Sequence, residues 1–189
     1  RTTAYDELTD KTRGLSLFVV DLRAAVAAGQ ITIRPIDTML NHSTTEVFIN
    51  DLEVPAEDLV GEEGMGFRYV LDGWNAERIL IAAECVGDGH WFIERASSYA
   101  RERVVFGRPN GQNQGVQFPL SRCYAELEAA DMMCRRAAAL FQAGQPCGAD
   151  ANIAKLLASE ATWHAAEVSM EVHGGFGFAQ EYDVERKWR

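Results

Sequence analysis

The sequence has no long hydrophobic run, and its basic residues are outnumbered by its acidic ones. No apolar stretch approaches the roughly 20 residues that a membrane-spanning helix requires, so we predict no membrane span. The chain carries 18 Lys and Arg against 28 Asp and Glu, a formal net charge of −10. Because nucleic-acid surfaces depend on basic side chains that neutralise phosphates, this balance argues against a nucleic-acid partner. The net negative charge gives no long-range attraction for an anion, so an anionic ligand must be bound by basic residues at its own site.

The four cysteines form no recognisable motif. Their spacing contains neither a C-x-x-C pair nor a metal-ligand pattern, so we predict no metal site. Cys85 and Cys134 lie in apolar helical contexts, which is typical of reduced core residues. No leader-like segment opens the chain, and we expect a reducing compartment: the cytoplasm of a bacterium, or the mitochondrial matrix of a eukaryote.

Short strand patterns fill the first 60 residues. Strands are predicted at 15–21, 31–35 and 44–49, an extended piece at 52–55 and a brief helical turn at 24–30. No helix between the strands is long enough for a parallel crossover, so we expect antiparallel pairing. A sheet this small leaves an open edge. We therefore expect a truncated β domain over residues 1–60 whose first half is absent.

Helical periodicity begins after a glycine-rich hinge at 61–66. Helices are predicted from Phe67 through Tyr99, then at 116–143, at 149–173 and from 182 onward, with a break at 106–115. Long helices joined by short connections make an up-and-down bundle. The predicted fold class is therefore α+β and mainly α: a truncated antiparallel β domain followed by an up-and-down four-helix-bundle domain at 61–189.

Glycines and one aspartate mark special positions in these helices. Gly87 and Gly89 interrupt the first helix and are expected either to bend it or to permit close packing. Asp150 is a candidate N-cap of the third helix, and Gly174 follows its predicted end as a candidate C-cap.

One carboxylate in the first helix occupies an unusual position. A helix over 71–86 puts Glu77 on one face with Trp74, Leu80 and Ile81. Apolar neighbours raise the pKa of a carboxyl group, because its charged form loses hydration. A raised pKa is typical of a glutamate that acts as a general base at neutral pH. The competing interpretation is a glutamate at the edge of a buried stripe, paired with a basic residue on a neighbouring helix. The helix pattern alone favours that structural pair.

Four segments carry a resemblance to a known family. They are TTEVFINDLEVPAEDLVGEEGMGF (44–67), LDGWNAERILIAAECVG (71–87), ARERVVFGRPNGQNQ (100–114) and VHGGFGFAQEYDVERKWR (172–189). In this order and spacing they resemble the acyl-CoA dehydrogenases. The resemblance implies a chain that starts midway through the family's β domain and ends within its helical C-terminal domain.

The same resemblance implies an activity and partners. Acyl-CoA dehydrogenases are FAD-dependent oxidoreductases of fatty acid β-oxidation that convert acyl-CoA thioesters to 2-enoyl-CoA. The resemblance therefore implies an electron-transfer flavoprotein as the electron acceptor. It also implies a homodimer or homotetramer with FAD at the subunit interface. Two alternatives stay open: the same fold acting as an oxidase or flavin monooxygenase, and a non-catalytic helical assembly module that binds no flavin.

A basic loop is the first cofactor candidate. Arg101, Arg103 and Arg108 concentrate positive charge, and Phe106 followed by glycine offers a flat ring beside accessible backbone. A solvated basic helix end is the alternative interpretation. The resemblance implies that Arg103, Phe106 and Gln114 bind FAD of a neighbouring subunit.

The glycine pair after the third helix is the second cofactor candidate. The resemblance implies that Gly174 and Gly175 form a flavin-contacting turn, together with Glu171. The family often has glutamine at the position of Glu171, and a carboxylate cannot donate a hydrogen bond as an amide does. His173 replaces a more usual aliphatic residue and is predicted to be structural.

The resemblance also proposes a catalytic base and substrate contacts. Glu77 falls where isovaleryl- and long-chain-type members keep their base, whereas other members keep it at a position beyond Arg189. Arg78 matches an arginine near the base, with a salt bridge as an equally weighted alternative. Asn75 stands where several members have an aspartate that binds the pantetheine arm of CoA. Trp74 is a further substrate-binding candidate, although a core or interface role is the simplest explanation of a tryptophan.

The other histidines are predicted to lie outside the chemistry. His42 precedes a strand and is explained by turn and strand chemistry. His90, next to Trp91, is predicted to be a packing or partly exposed residue, and His164 has no partner at metal-ligand spacing.

Overall fold

The computed structural model describes residues 2–7, 9–39 and 43–189, so His42 lies outside the described residues. The chain divides into two compact units, Arg1–Leu71 and Asp72–Arg189. The sequence-based boundary after residue 60 stays a prediction. Within the described part of the chain, no helix is long and apolar enough to cross a membrane.

The first unit contains two small antiparallel strand pairs. Strands β1 (Leu17–Phe18) and β4 (Leu59–Val60) pair with each other, as do β2 (Ile31–Pro35) and β3 (Thr45–Ile49). Helix α1 (Leu22–Ala27) begins because the Asp21 carboxylate accepts hydrogen bonds from the backbone N–H groups of Arg23 and Ala24. Short 3-10 turns cover Tyr5–Glu7 and Ala56–Asp58. The antiparallel arrangement that we predicted is confirmed.

The predicted strand at 15–21 is too long, and the predicted extended piece at 52–55 lies outside the strands. The stretch 15–21 forms a strand only at Leu17–Phe18, because the partner strand is just two residues long. The stretch 52–55 forms no strand. It ends at Pro55, which has no backbone N–H to donate to a ladder, and the fourth strand forms after the next turn.

Helices dominate the rest of the chain. Helix α2 spans Gly66–Glu102 and crosses the division between the two units. A hairpin of β5 (Val104–Val105) and β6 (Arg108–Pro109) and a 3-10 turn at Asn110–Gln112 follow it. Helices α3 (Gln114–Gln142), α4 (Gly148–His173) and α5 (Asp183–Trp188) complete the second unit, with a 3-10 turn at Gly174–Phe178 between the last two.

Side-chain contacts fix the direction of the long helices. Cys134 Sγ of α3 lies 3.5 Å from the carbonyl oxygen of Ile79, although α3 begins near the far end of α2. Helix α3 is thus antiparallel to α2. The Thr162 hydroxyl of α4 donates to the Cys85 carbonyl, and His173 at the end of α4 stacks on Tyr99 near the end of α2. The up-and-down order that we predicted is confirmed.

Small residues hold α4 close to its neighbours. Its buried face carries alanine at successive helical positions, and two core clusters form around these alanines and the buried residues of α2 and α3. The predicted cap by Asp150 is wrong: Cys147 occupies the N-cap position. Asp150 instead accepts a 2.7 Å hydrogen bond from Arg136 Nε, which ties the first turn of α4 to α3.

Candidate functional site

A cavity of about 610 Å³ lies where α2 and α4 both end. Its wall comes from the last turn of α2, the hairpin that follows and the turn after α4. The lining residues are Tyr99, Arg103, Val105, Asn110, Glu171, Val172, His173, Gly174, Gly175, Phe176 and Ala179. Four of the six predicted cofactor residues therefore share one cavity, although about 70 positions separate them along the chain.

The turn after α4 presents bare backbone to this cavity. Gly174 ends the helix with φ +60, a left-handed conformation that glycine adopts without a steric penalty. A Cβ atom built at Gly174 or at Gly175 would meet nothing within 4 Å. A ligand can therefore approach this backbone closely.

Arg103 supplies a free positive charge. Its backbone N–H donates to the Tyr99 carbonyl over 2.8 Å, which anchors the residue at the end of α2. Its guanidinium lies over the Phe176 ring, 5.3 Å from the ring centre. Among the described residues Arg103 has no acidic partner, so its donors are available to an anion.

His173 forms the buried floor of the cavity. His173 is 5% exposed, and its imidazole stacks on Tyr99 with ring centres 4.3 Å apart. Its Nδ1 atom lies 2.7 Å from the Ser169 carbonyl oxygen. A carbonyl oxygen only accepts, so Nδ1 carries the proton. Tyr182 packs edge-on against both rings.

The hairpin beside the cavity holds Phe106 in a strained position. Phe106 and Gly107 form a two-residue turn with φ 54 and φ 79, both left-handed, as in a type I′ turn. Such a φ is uncommon for a residue with a Cβ atom. The Phe106 side chain is completely exposed, and neither it nor the exposed Gln114 lines the cavity.

Glu77 lies on the surface of α2. The expectation of a buried stripe is wrong, because Glu77 is exposed and its neighbours Trp74 and Leu80 are 43% and 68% exposed. No residue in the described part of the chain buries the Glu77 carboxylate. The alternative of a structural ion pair finds no support either: among the described residues Glu77 has no ion pair or hydrogen bond.

The three predicted substrate contacts form a small cluster beside Glu77. Arg78 Nη1 donates a 3.2 Å hydrogen bond to Asn75 Oδ1. The same guanidinium lies 5.8 Å from the centre of the Trp74 ring. Arg78 therefore donates one hydrogen bond to a neutral amide and, in the described part of the chain, forms no salt bridge.

The two groups of predicted residues lie at opposite ends of α2. Glu77 and Tyr99 are separated by 22 helical residues, which is about 33 Å at 1.5 Å per residue. The cavity and Glu77 of one chain therefore lie too far apart to line one compact pocket. The described residues also contain no group of three or more His, Cys, Asp or Glu side chains that could hold a metal ion.

Sequence reasoning missed two polar residues that line the cavity. Tyr99 lies four residues before Arg103, and residues four apart share a helix face, so this signal was present in the sequence. Asn110 reaches the cavity through the hairpin, because its backbone N–H donates to the Arg103 carbonyl over 2.7 Å. No local pattern predicts that contact.

Comparisons with known proteins identify the class to which this architecture belongs. The profile described as acyl-CoA dehydrogenase, C-terminal domain, matches residues 64–189. The chain belongs to the acyl-CoA dehydrogenase family, whose members are FAD-dependent flavoproteins.

Individual relatives agree with this family. The chain is 40% identical over 147 residues to an acyl-CoA dehydrogenase of Bacillus subtilis, covering 78% of this chain and 39% of that protein. Butyryl-CoA dehydrogenase of Megasphaera elsdenii superposes with a TM-score of 0.86 at 30% identity, over 96% of this chain and 47% of the other. The structure described as PigA with FAD and proline superposes with a TM-score of 0.86 at 26% identity, over 94% and 46%. The chain thus spans less than half the length of these relatives.

Proposed function

We propose that the protein containing this chain is an FAD-dependent acyl-CoA dehydrogenase that converts an acyl-CoA thioester to a 2-enoyl-CoA. The observation that carries the proposal is the cavity at the end of the bundle. It unites Arg103 with Glu171, Gly174 and Gly175, which the family resemblance had proposed as cofactor residues.

The residues of the cavity suit part of an FAD molecule. The unpaired guanidinium of Arg103 matches the negative charge of a pyrophosphate. The bare backbone at Gly174 and Gly175 admits a ligand without a Cβ clash. Phe106, in the hairpin next to this cavity, presents an exposed aromatic ring. Its left-handed backbone is unfavourable for a phenylalanine, and such strain is often found at functional sites. We assign Arg103, Phe106, Gln114, Glu171, Gly174 and Gly175 to FAD binding.

The length of α2 supports an FAD site shared between subunits. Glu77 and Tyr99 lie about 33 Å apart along α2, and only Tyr99 lines the cavity. The cavity of one chain and its own Glu77 would then serve different cofactors. We therefore propose a homodimer or homotetramer in which FAD lies at a subunit interface, and sedimentation of the full-length protein as a monomer would contradict it.

Glu77 is our candidate for the base that removes the α proton. Its carboxylate is exposed and uncommitted within the described residues, so it is free to contact a substrate. The exposed faces of Trp74 and Leu80 lie beside it and offer apolar surface to an acyl chain. Asn75 holds Arg78 in place through their hydrogen bond, and we assign these two residues and Trp74 to substrate binding.

The reaction divides between the chain and the cofactor. Abstraction of the α proton by a carboxylate leaves the thioester ready to lose a hydride from the β carbon. When bound, FAD supplies the acceptor for that hydride. We propose an electron-transfer flavoprotein as the next electron acceptor, and the reducing cytoplasm or mitochondrial matrix as the compartment.

Anaerobic titration of the full-length protein with acyl-CoAs tests this function. We expect the yellow flavin absorbance to bleach with a suitable acyl-CoA. Glu77→Gln should retain bound flavin and lose bleaching by several orders of magnitude, because an amide cannot accept the proton. A colourless wild type would overturn the function, and undiminished bleaching by Glu77→Gln would place the base elsewhere, including beyond Arg189. Oxygen consumption without an added acceptor would indicate an oxidase instead.

A further inference from the structure

The side-chain amide of Asn75 has a fixed orientation. Its Oδ1 atom accepts a 3.2 Å hydrogen bond from Arg78 Nη1. A guanidinium donates and never accepts, so the amide atom that faces Arg78 is the oxygen. The Nδ2 atom, which carries the two N–H donors of the amide, therefore lies on the side turned away from Arg78.

These two donors are not used within the described part of the chain. Asn75 Nδ2 has no hydrogen-bond partner among the described residues. In the same ranges the only fully enclosed side-chain nitrogen or oxygen without a partner is Ser169 Oγ, so Nδ2 is not enclosed. A ligand can reach the N–H groups of this half-buried residue, and the group it brings to them must be an acceptor.

The first residue of α4 lies directly against the same amide. A Cβ atom built at Gly148 would stand 3.7 Å from Asn75 Oδ1 and 3.8 Å from Asn75 Nδ2. Any side chain at this position would therefore point at the amide. The distances are ordinary van der Waals contacts, so a Cβ atom would not displace Asn75, but a longer side chain would extend over it. Glycine keeps this side of the amide open.

Hydrogen bonds hold the first turn of α4 independently of Asn75. Arg136 Nε of α3 donates to the Asp150 carboxylate over 2.7 Å. The Asn152 amide donates to the Gly148 carbonyl oxygen over 2.8 Å. Because these bonds fix the turn to α3 and to itself, the opening between Gly148 and the Asn75 amide is set by the bundle and not by a ligand.

The orientation of the amide determines which group of a substrate it binds. The arm that joins the thioester of an acyl-CoA to its nucleotide contains amide groups, each with a C=O acceptor and an N–H donor. An aspartate, which the family resemblance gives for this position in several members, accepts only and would bind the N–H. Asn75 has its oxygen turned to the positive charge of Arg78 and its donors turned to open space, so the complementary group is the C=O.

We propose that Asn75 donates a hydrogen bond to an amide carbonyl oxygen in the arm of the acyl-CoA, and that Gly148 determines specificity because its missing side chain keeps this amide open. The inference rests on the proposed function. It reverses the hydrogen-bond polarity that an aspartate would give at position 75, and it assigns the first turn of α4 to substrate recognition.

Two variants and two substrates test the proposal. Asn75→Asp removes both N–H donors with little change in size, and Gly148→Val covers the amide. Gly87→Val is the matched control, because a Cβ atom at Gly87 meets nothing within 4 Å. We would measure kcat and KM of the full-length flavoprotein with an artificial electron acceptor. The substrates are an acyl-CoA and the S-butyl thioester of the same acyl group, which has no amide in its arm.

We expect Asn75→Asp and Gly148→Val each to raise KM for the acyl-CoA about tenfold, as the loss of one hydrogen bond predicts. The kcat should stay within about threefold of the wild type, because the arm is bound equally in the ground state and the transition state. With the S-butyl thioester, kcat/KM should stay within about threefold for both variants. Gly87→Val should match the wild type with both substrates.

The outcomes separate this inference from the proposed function. An unchanged or lower KM of Asn75→Asp for the acyl-CoA would overturn the donor role, because a carboxylate can only accept. An equal loss with both thioesters would overturn it too, since the effect would then pass through Arg78 and not through the arm. Wild-type kinetics of Gly148→Val would remove Gly148 from recognition. A colourless wild type that oxidises no acyl-CoA would contradict the proposed function itself, and this inference with it.

Discussion

Gly89 of α2 lies directly against Leu127 of α3, with no room for a side chain. A Cβ atom at Gly89 would stand 2.8 Å from Leu127 Cδ1 and 3.1 Å from Thr162 Oγ1. Leu127 is completely buried, so it cannot move aside without disturbing the core. The sequence left open whether Gly87 and Gly89 bend the helix or permit close packing. Packing accounts for Gly89, whereas a Cβ at Gly87 would meet nothing within 4 Å.

This contrast predicts opposite effects of the same substitution two residues apart. Gly89→Ala should lower the free energy of unfolding by roughly 1–3 kcal/mol, because the new methyl group overpacks the core. Gly87→Ala should raise it by about 0.5–1 kcal/mol, because alanine favours a helix and the site has space. Urea unfolding of both variants measures the difference. Equal effects would show that helix propensity, not packing against Leu127, decides these positions.

The turn at Phe106 predicts that two substitutions will differ in stability but not in cofactor affinity. Asparagine tolerates the left-handed backbone and alanine does not, yet neither offers an aromatic ring. Phe106→Asn should therefore be more stable than Phe106→Ala by about 1 kcal/mol in the free energy of unfolding.

Both variants should bind FAD equally weakly compared with the wild type, because both lack the ring. Thermal unfolding and FAD titration of the full-length apoprotein give the two readings. Unchanged FAD affinity in both variants would remove Phe106 from the proposed site, while equal stability of the two would show that the turn is not strained.

Cys123 predicts a loss of stability in alkaline solution. Burial, with a smaller contribution from the negative charge of Glu126, raises the pKa of its thiol from 9.0 to about 11. The folded state therefore holds this proton more tightly than the unfolded state. The resulting stabilisation is complete below about pH 9 and disappears as the pH rises through 11.

Between pH 8 and pH 10 this effect should lower the free energy of unfolding by about 1 kcal/mol. Cys123→Ala should be less stable at pH 8, because it leaves a small cavity, but should lose about 1 kcal/mol less than the wild type on going to pH 10. Urea unfolding at both pH values measures this difference. Parallel losses in the two proteins would show that other groups account for the alkaline change.

Local patterns in the sequence were sufficient to predict the helices. Periodic apolar residues predicted α2, α3 and α4 to within a few residues of their ends, and Gly174 correctly marked the end of α4. Helix formation depends on residues a few positions apart along the chain and on local start and stop signals. A single sequence therefore contains the information that predicts helix position. The strands were predicted less well, because a strand exists only where a partner pairs with it, and the stretch 15–21 found a partner for two residues.

Exposure and proximity were decided by the tertiary structure alone. The sequence could indicate that Arg103 and Gly174 belong to one family pattern, but only the packing of α2 beside α4 brings them to one cavity with Tyr99 and His173. Glu77 was expected on a buried stripe and lies exposed, because a helical face is buried only if another element covers it. The burial of His173 follows from the same cause, because the Tyr99 ring that stacks on its imidazole belongs to α2.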